Sequence, residues 1–376
     1  MIYMKILFLG NQNIFGKINA GGLQCSKRNY ELIKSIDKDC EIFAAIIWNV
    51  QENQKVDENV RYFNRVRNEC EALVASLFLC KTYPVSEENK ILSYIAEVKP
   101  DVLFLDTSAM GKLLKKVDSD IKKIVFFHNI ESEYTKHKVR EEGIKYVPSY
   151  LTSYYNEKMA VKMADKVICL NKRDGNELYN IYGRNADSYL PISFYDNFDE
   201  SRLNRDVSDK RLIFIGSFFP PNYKGILWFV KNVMSRLPQY ELLIIGKGFE
   251  AKRKELECDN VKVIGTVEDL AEYYYTASSI VMPIQYGDGM KVKTAEAMMY
   301  GITTFATDEA LEGYEVDGIK GIYRCNSSDD FIMNIKEAYE SKRIEAFNNE
   351  IRDYFLKNHE TKRLESTMRD ILGVSL

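Results

Sequence analysis

The sequence predicts an α/β chain of two doubly wound, Rossmann-like domains, and three features carry that reading. Short runs rich in β-branched and aromatic residues alternate with longer helical stretches, the pattern of parallel strands covered on both faces. The runs fall into two series. Each series opens with an apolar strand ending in glycine, then a glycine- or proline-bearing loop, then a helix: Gly10 to Gly22 in one, Gly216 to Gly225 in the other. A length of 376 residues with 45% hydrophobic content suits two ordinary packed domains.

In the first series the strands are expected at Lys5 to Leu9, Glu41 to Trp48, Asp101 to Asp106, Ile124 to His128, Lys166 to Leu170 and Ser188 to Leu190. The second begins at Arg211 to Gly216 and continues through Glu241 to Gly246, Val261 to Gly265, Ser279 to Pro283, Thr303 to Ala306 and Gly321 to Tyr323. Between them, Ser193 to Asp209 is polar and has no apolar period, which reads as a linker. The expected division is therefore a first domain over 1–193, a linker over 194–209 and a second domain over 210–376. Ligands bind off the carboxyl ends of parallel strands, so a central cleft faced by both domains is the expected place for function.

Composition narrows the classes of function. A formal net charge of -3 gives no global attraction to nucleic acid. The seven cysteines form no Cys-x-x-Cys pair and several sit in apolar runs such as Val167 to Leu170, so they read as buried free thiols in a reducing compartment. Met1 to Gly10 reads as a first strand and not as a signal peptide, and no window approaches the ~20 apolar residues of a spanning helix. The cytoplasm is the expected compartment, with the inner face of the membrane as a place of work if contact is peripheral. Two segments bear on such contact, the apolar Ala72 to Leu79 and the basic Lys112 to Lys123. A buried helix and a wet surface loop explain the same residues and are preferred.

The segment from Pro283 to Gly301 is the most informative in the chain. Gly287 and Gly289 let the backbone approach a ligand, and the free amides of the helix start that follows direct partial positive charge toward a phosphate. Lys291 and Lys293 add formal charge. Asp288 and Glu296, with seven residues between them, place one acid in the loop and the other about two turns along the helix. A bound sugar nucleotide needs that combination; a loop entering an Ala- and Met-rich core helix is the plainer account.

These residues resemble the carboxylate, seven residues, Glu signature of retaining nucleotide-sugar glycosyltransferases of group 1 (family 4). Many bacterial polysaccharide and lipid-linked glycan glycosyltransferases of the two-domain GT-B fold belong to it. Asp288 stands where the family has Glu and is shorter by one methylene, which weakens its hydrogen bond to the donor sugar. The Gly-x-Gly-x-Lys form of the loop, Gly287 to Lys291, matches relatives whose backbone amides do that holding, here near Gly289, Met290 and Val292. The resemblance implies that Glu296 meets the ribose, that Asp288 and His128 meet the transferred sugar, and that Lys291 supports the diphosphate. It also implies roles for Gly21 and Gly22 after the first strand, and for Gly216, Ser217 and Lys224 near the donor phosphates. Loops at Gly246 and Val267 would wrap the base. In the family fold the last helical stretch, here from about Asp329 to Leu372, packs partly back on the first domain.

Each of these residues has a bland alternative. Gly21 and Gly22 suit a flexible turn, His128 a core histidine, and Asn222 a helix N-cap. His137 and His359 lie in polar helical context and read as surface residues. Asp118-Ser-Asp120 has the form of a metal-binding Asp-x-Asp, yet it sits between lysines away from any strand end, and a solvated turn explains it. No metal or obligatory cofactor is expected. The donor would be a nucleoside diphosphate sugar of UDP or GDP type, and the acceptor a glycan or polyprenyl-linked glycan. A homodimer and peripheral membrane contact are compatible with the chain, whereas a nucleic-acid partner is not expected. Two other classes compete: a non-catalytic glycosyltransferase-like subunit that binds a partner enzyme or glycan, and a sugar-nucleotide epimerase, which would want more acid/base residues than three histidines provide.

Overall fold

The computed structural model describes residues 4–16, 21–36, 40–49, 58–287 and 289–374. The chain divides into two compact units, one comprising the residues up to Pro191 together with those from Thr361 onward, the other running from Ile192 to Glu360.

The first unit contains β1 (Met4–Gly10), α1 (Gly21–Ile36), β2 (Cys40–Ile47), β3 (Val60–Phe63), α2 (Glu69–Leu77), α3 (Val85–Val98), β4 (Val102–Leu105), β5 (Lys122–Phe127), α4 (Glu131–Glu142), α5 (Val147–Met163), β6 (Lys166–Cys169), α6 (Lys172–Tyr182) and β7 (Ser188–Tyr189). Its sheet is parallel, with order β3-β2-β1-β4-β5-β6-β7. Ile6, Leu7, Phe8 and Leu9 are fully buried, as a central strand covered on both faces requires.

The second unit contains β8 (Arg211–Ile215), α7 (Pro220–Asn232), β9 (Glu241–Ile245), α8 (Arg253–Leu256), β10 (Val261–Gly265), α9 (Ala271–Thr276), β11 (Ser279–Met282), α10 (Val292–Met299), β12 (Thr303–Ala306), β13 (Ile322–Arg324), α11 (Ser328–Glu340) and α12 (Asn349–Asn358). The sheet order is β10-β9-β8-β11-β12-β13, again parallel. In each unit the strand order reverses beside the first strand, between β1 and β4 and between β8 and β11. Those reversals are the topological switch points of doubly wound sheets. The last helix, α13 (Glu365–Leu372), packs on α1 within the first unit. Lysines meet its carboxyl end: Lys122 Nζ donates to Leu372 O at 2.9 Å and Lys166 Nζ to Asp370 O at 2.5 Å.

Every expected strand forms, and β3 is an addition. Its four residues, Val-Arg-Tyr-Phe, are too short to stand out by pattern and owe their place to pairing with β2. Residues 194–209 pack within the second unit. There Arg205 donates to the carbonyls of Tyr274, Tyr300, Gly301 and Ala346, and burial pulls its pKa down to about 9. Arg205 is the buried exception in this segment, whose other polar residues, such as Asp199, Glu200, Asn204 and Asp206, are exposed.

Several sequence expectations are corrected. His359 is buried, with Nδ1 2.8 Å from Ile192 O and its ring against Tyr314 and Tyr354, because α12 ends where the chain turns back under those two rings. Cys70 and Cys258 are exposed, each outside an apolar run, whereas Cys25, Cys80, Cys169 and Cys325 are buried. Helix α2 buries only Ala75 and leaves Leu73, Val74, Leu77 and Phe78 exposed, so its apolar composition does not make it a core helix. The stretch from Lys112 to Lys123 is not a free basic loop: Lys112 and Lys116 both pair with Glu88, and Lys123 is buried against the carbonyls of Asp118 and Ile121. Among the described residues, no helix is long and apolar enough to cross a membrane.

Candidate functional site

The carboxyl ends of β8, β9 and β11 carry most of the residues singled out in the second unit. Gly216 follows β8, and its N–H donates to Ile245 O at 3.0 Å. Gly246 follows β9 with φ +144°, and a Cβ there would lie 1.8 Å from Gly216 O. No other side chain fits, so the two backbones touch. Phe218 N–H donates to Lys247 O at 2.8 Å, which closes the Ser217 loop over the loop after β9. Glu250 ties in the next strand by accepting from Thr266 Oγ1 and N–H, both at 2.6 Å, and from Gly248 N–H at 2.7 Å. The Thr266 hydroxyl and these amides hold the Glu250 carboxyl down to about 2. Val267 follows, partly exposed. Glu250 carries no sequence signal beyond its nearness to Gly248, and sequence reasoning missed it.

Across the switch point the loop after β11 approaches the same strand ends. A Cβ on Gly225 of α7 would come within 2.3 Å of Pro283 O, so α7 lies directly against the loop. Lys224 places its ammonium 5.2 Å from the Tyr286 ring centroid. Asn222 is not an N-cap: α7 begins at Pro220, and Asn222 Nδ2 instead donates to Ser217 O at 2.9 Å. Proline at the first helical position loses nothing by lacking an N–H, which moves the start two residues earlier. Gly289 and Met290 are buried, Gly287 and Gly289 have φ of +155° and +64°, and Asp288 lies outside the described residues.

Lys291 and Glu296 belong to separate networks. Lys291 Nζ donates to Gly289 O at 2.8 Å and to Glu309 Oε1 at 2.5 Å, folding back over its own loop. Its carbonyl accepts from Tyr314 OH at 2.8 Å. Glu296 accepts from Lys293, one turn before it, and from Tyr274 OH at 3.3 Å. Burial, and then the Glu296 charge, push the Tyr274 phenol well above its ordinary value, so it stays a donor. Among the described residues no side chain caps α10, whose first residue is Val292, or α7. The first amides of α10 lack intrahelical partners by construction, whereas Pro220 and Pro221 leave the first two positions of α7 without an N–H.

The first unit builds a different kind of site. His128 follows β5 with its side chain 21% exposed. Its Nε2 lies 3.1 Å from Asp106 Oδ2, 3.0 Å from Asp106 O and 3.4 Å from Ser26 Oγ. Asp106, fully buried at the end of β4, also accepts from Asn29 Nδ2 at 2.7 Å. Burial works against charge on His128, but Asp106 and then Cys25 outweigh it and raise its pKa well above the usual imidazole range. Cys25 itself is lowered: burial opposes, and Arg28, whose Nη2 is 3.3 Å from Sγ, and then His128 prevail. Gly21 and Gly22 open the helix that carries Cys25, Ser26, Arg28 and Asn29. Asn129 Oδ1 is buried without a hydrogen-bond partner among the described residues.

The turn after His128 is fixed from below. Glu157 of α5, fully buried, accepts from the N–H groups of Glu131 and Ser132 at 2.7 and 3.0 Å and from Tyr182 OH at 2.7 Å. Asp106 could have been suspected, since it ends a central strand as His128 does; Glu157 could not, because nothing local distinguishes it.

Residues 209–341, within the second unit, match the family model of the glycosyl transferases of group 1. The whole chain has the GT-B fold of such enzymes. HepE of Anabaena, solved with UDP and glucose, is similar at 14% identity and a TM-score of 0.69, over 99% of this chain and 100% of that one. Sucrose-phosphate synthase of Thermosynechococcus elongatus has 14% identity and a TM-score of 0.73 over the same shares. WaaG, a glycosyltransferase involved in lipopolysaccharide biosynthesis, has 13% identity and a TM-score of 0.69, over 98% of this chain and 100% of that one. No curated protein matches the sequence.

Proposed function

We propose that this protein transfers a sugar from a nucleoside diphosphate sugar to a hydroxyl of a glycan or lipid-linked acceptor, with retention at the anomeric carbon, in bacterial surface polysaccharide biosynthesis. The observation that carries the reading is the switch point of the second unit. There the start of α10, which no side chain among the described residues caps, meets glycine-ended strands that admit a ligand against backbone. HepE, solved with UDP-glucose, makes a UDP sugar the first donor to test.

In this reading the leading amides of α10 and Ser217 N–H hold the diphosphate. Lys291 supplies a cation that exchanges Glu309 for phosphate oxygens, Glu296 takes the ribose hydroxyls, and the loops at Gly246 and Val267 receive the base. His128, held charged by Asp106, donates to a sugar hydroxyl. No enzymic nucleophile stands out, so a front-face displacement fits. The bond from C1 to the phosphate oxygen breaks, the acceptor oxygen bonds C1 on the same face, and its proton passes to the departing phosphate. Removing one preorganised donor to the developing charge costs about 3 kcal/mol of barrier, a 100- to 1000-fold loss.

Release of UDP from a panel of UDP sugars, with GDP sugars alongside, tests the reading. Turnover that falls about 100-fold or more in Glu296→Ala and Lys291→Ala is expected. Full activity in both variants would remove the assignment, and no nucleotide release from any donor would favour a non-catalytic binding subunit.

A further inference from the structure

Trp48 and Asn49 leave the carboxyl end of β2, and Asn64 and Arg65 leave that of β3. The two exits are locked together: Trp48 N–H donates to Phe63 O at 2.8 Å and Arg65 N–H to Asn49 Oδ1 at 2.9 Å. The Arg65 guanidinium carbon lies over the Trp48 ring, 5.2 Å from its centroid. It is partly buried, and burial lowers its pKa. Among the described residues no carboxylate or carbonyl accepts from it. Other arginines nearby behave otherwise: Arg67, two residues on, donates to Asn64 Oδ1 at 3.4 Å, and on β3 itself Arg61 pairs with Glu97 at 2.9 Å. On β3, Tyr62 OH donates to Asn13 Oδ1 at 3.3 Å, which ties the loop after β1 to that strand.

An arginine held over an indole by a cation–π contact offers its N–H groups for two hydrogen bonds to a planar or tetrahedral oxyanion. Desolvation with no counter-charge among the described residues costs free energy, and an anionic ligand would recover it. Beside it are an aromatic face, which suits the C–H face of a sugar ring, and amide and phenol groups, which suit hydroxyls. We propose that Trp48, Arg65, Asn49, Tyr62 and Asn13 form an acceptor site in the first unit for a sugar bearing an oxyanion, either a uronic acid carboxylate or a sugar phosphate. The proposal rests on the glycosyl-transfer reading and names the class of acceptor. Arg65 lies four strand steps from His128 in the sheet order, about 19 Å. The charged sugar is therefore not the reacting one but a residue further along the acceptor, and this site selects for chain identity.

Calorimetric titration of the full chain with UDP present at saturation keeps small anions off the nucleotide site. The probes are a hyaluronan tetrasaccharide, which carries carboxylates, chitotetraose, which is neutral, and glucose 6-phosphate against glucose. At least one anionic probe binds about ten-fold or more tighter than its neutral counterpart, and added salt reduces the difference. The tetrasaccharide arm responding alone assigns a carboxylate, the phosphate arm alone a phosphate. Arg65→Gln abolishes the preference, Arg65→Lys keeps part of it, and Trp48→Ala weakens charged and neutral tetrasaccharides together. Equal binding of charged and neutral probes, or a preference unchanged in Arg65→Gln, overturns the site. Nucleotide binding is read separately in the same samples: failure to bind UDP counts against the transfer reading, whereas loss of anion preference with UDP binding intact counts only against this site.

Discussion

Two helices that follow central strands, α4 after β5 and α10 after β11, solve the same electrostatic problem in opposite ways. Both begin with amides that no helical carbonyl can accept. At α4 the protein supplies its own anion: Glu157 accepts from Glu131 and Ser132 N–H and is fully buried in doing so. At α10 no side chain among the described residues caps the start, and Gly287 and Gly289 lie in the approach. A helix start closed by an internal carboxylate is scaffolding. One left uncapped beside a glycine loop at a switch point is fit to receive an anion from outside. The same contrast separates the two sites, side chains arrayed around His128 in the first unit and backbone laid open in the second.

The most severe way to break this contrast is at Gly246. Gly246→Ala puts a methyl 1.8 Å from Gly216 O at φ +144°, and should destabilise the second unit by about 4 kcal/mol, combining backbone strain with overpacking. Urea unfolding measures it, and a loss below about 1 kcal/mol would mean the strand ends can spread. Next is Glu157→Gln, which keeps the shape but removes the charge that α4 needs; about 2 kcal/mol of stability should go. If α4 is indifferent to that change, its closure by Glu157 is incidental.

A smaller effect sharpens the first site. Because Asp106 raises the folded-state pKa of His128, the pair adds stability that is full below the unfolded imidazole value, about 6.5, and is lost as pH rises through the higher folded value. Melting temperature should therefore decline across the alkaline range in the wild type, and Asp106→Asn should flatten that decline. A wild-type profile that rises instead would show His128 neutral. Smallest of all, Leu77→Ser on the exposed face of α2 should change stability by no more than about 0.5 kcal/mol in urea unfolding. A larger loss would mean that α2 is packed after all.

Strands such as Leu212 to Ile215 and Leu242 to Ile245 were legible because burial on both faces demands continuous apolar runs, and the glycines after them because only glycine allows the backbone contacts observed. The order of the strands was legible only as a type. Short β3 was not, since its pairing with β2 is what makes it a strand. Around the sites, Gly289 and Lys291 could be named from spacing and Gly216 and Gly246 from the family resemblance, but the partner of Lys291, Glu309, lies 18 residues away on a later loop. His359 and Arg205 misled for the same reason. Their polarity suggested solvent, yet each is buried against carbonyls that distant segments bring to it.

The sequence by itself determined the two α/β series, their glycine-ended strands and the loop from Gly287 to Lys291, because those depend on local periodicity and on backbone angles that a single residue type permits. Only the tertiary structure decided which charges meet: Asp106 with His128, Glu157 with the start of α4, and Arg65 with the face of Trp48. Electrostatic and hydrogen-bonding partners are fixed by distance in space, and side chains far apart along the chain acquire that distance only when the sheets have formed.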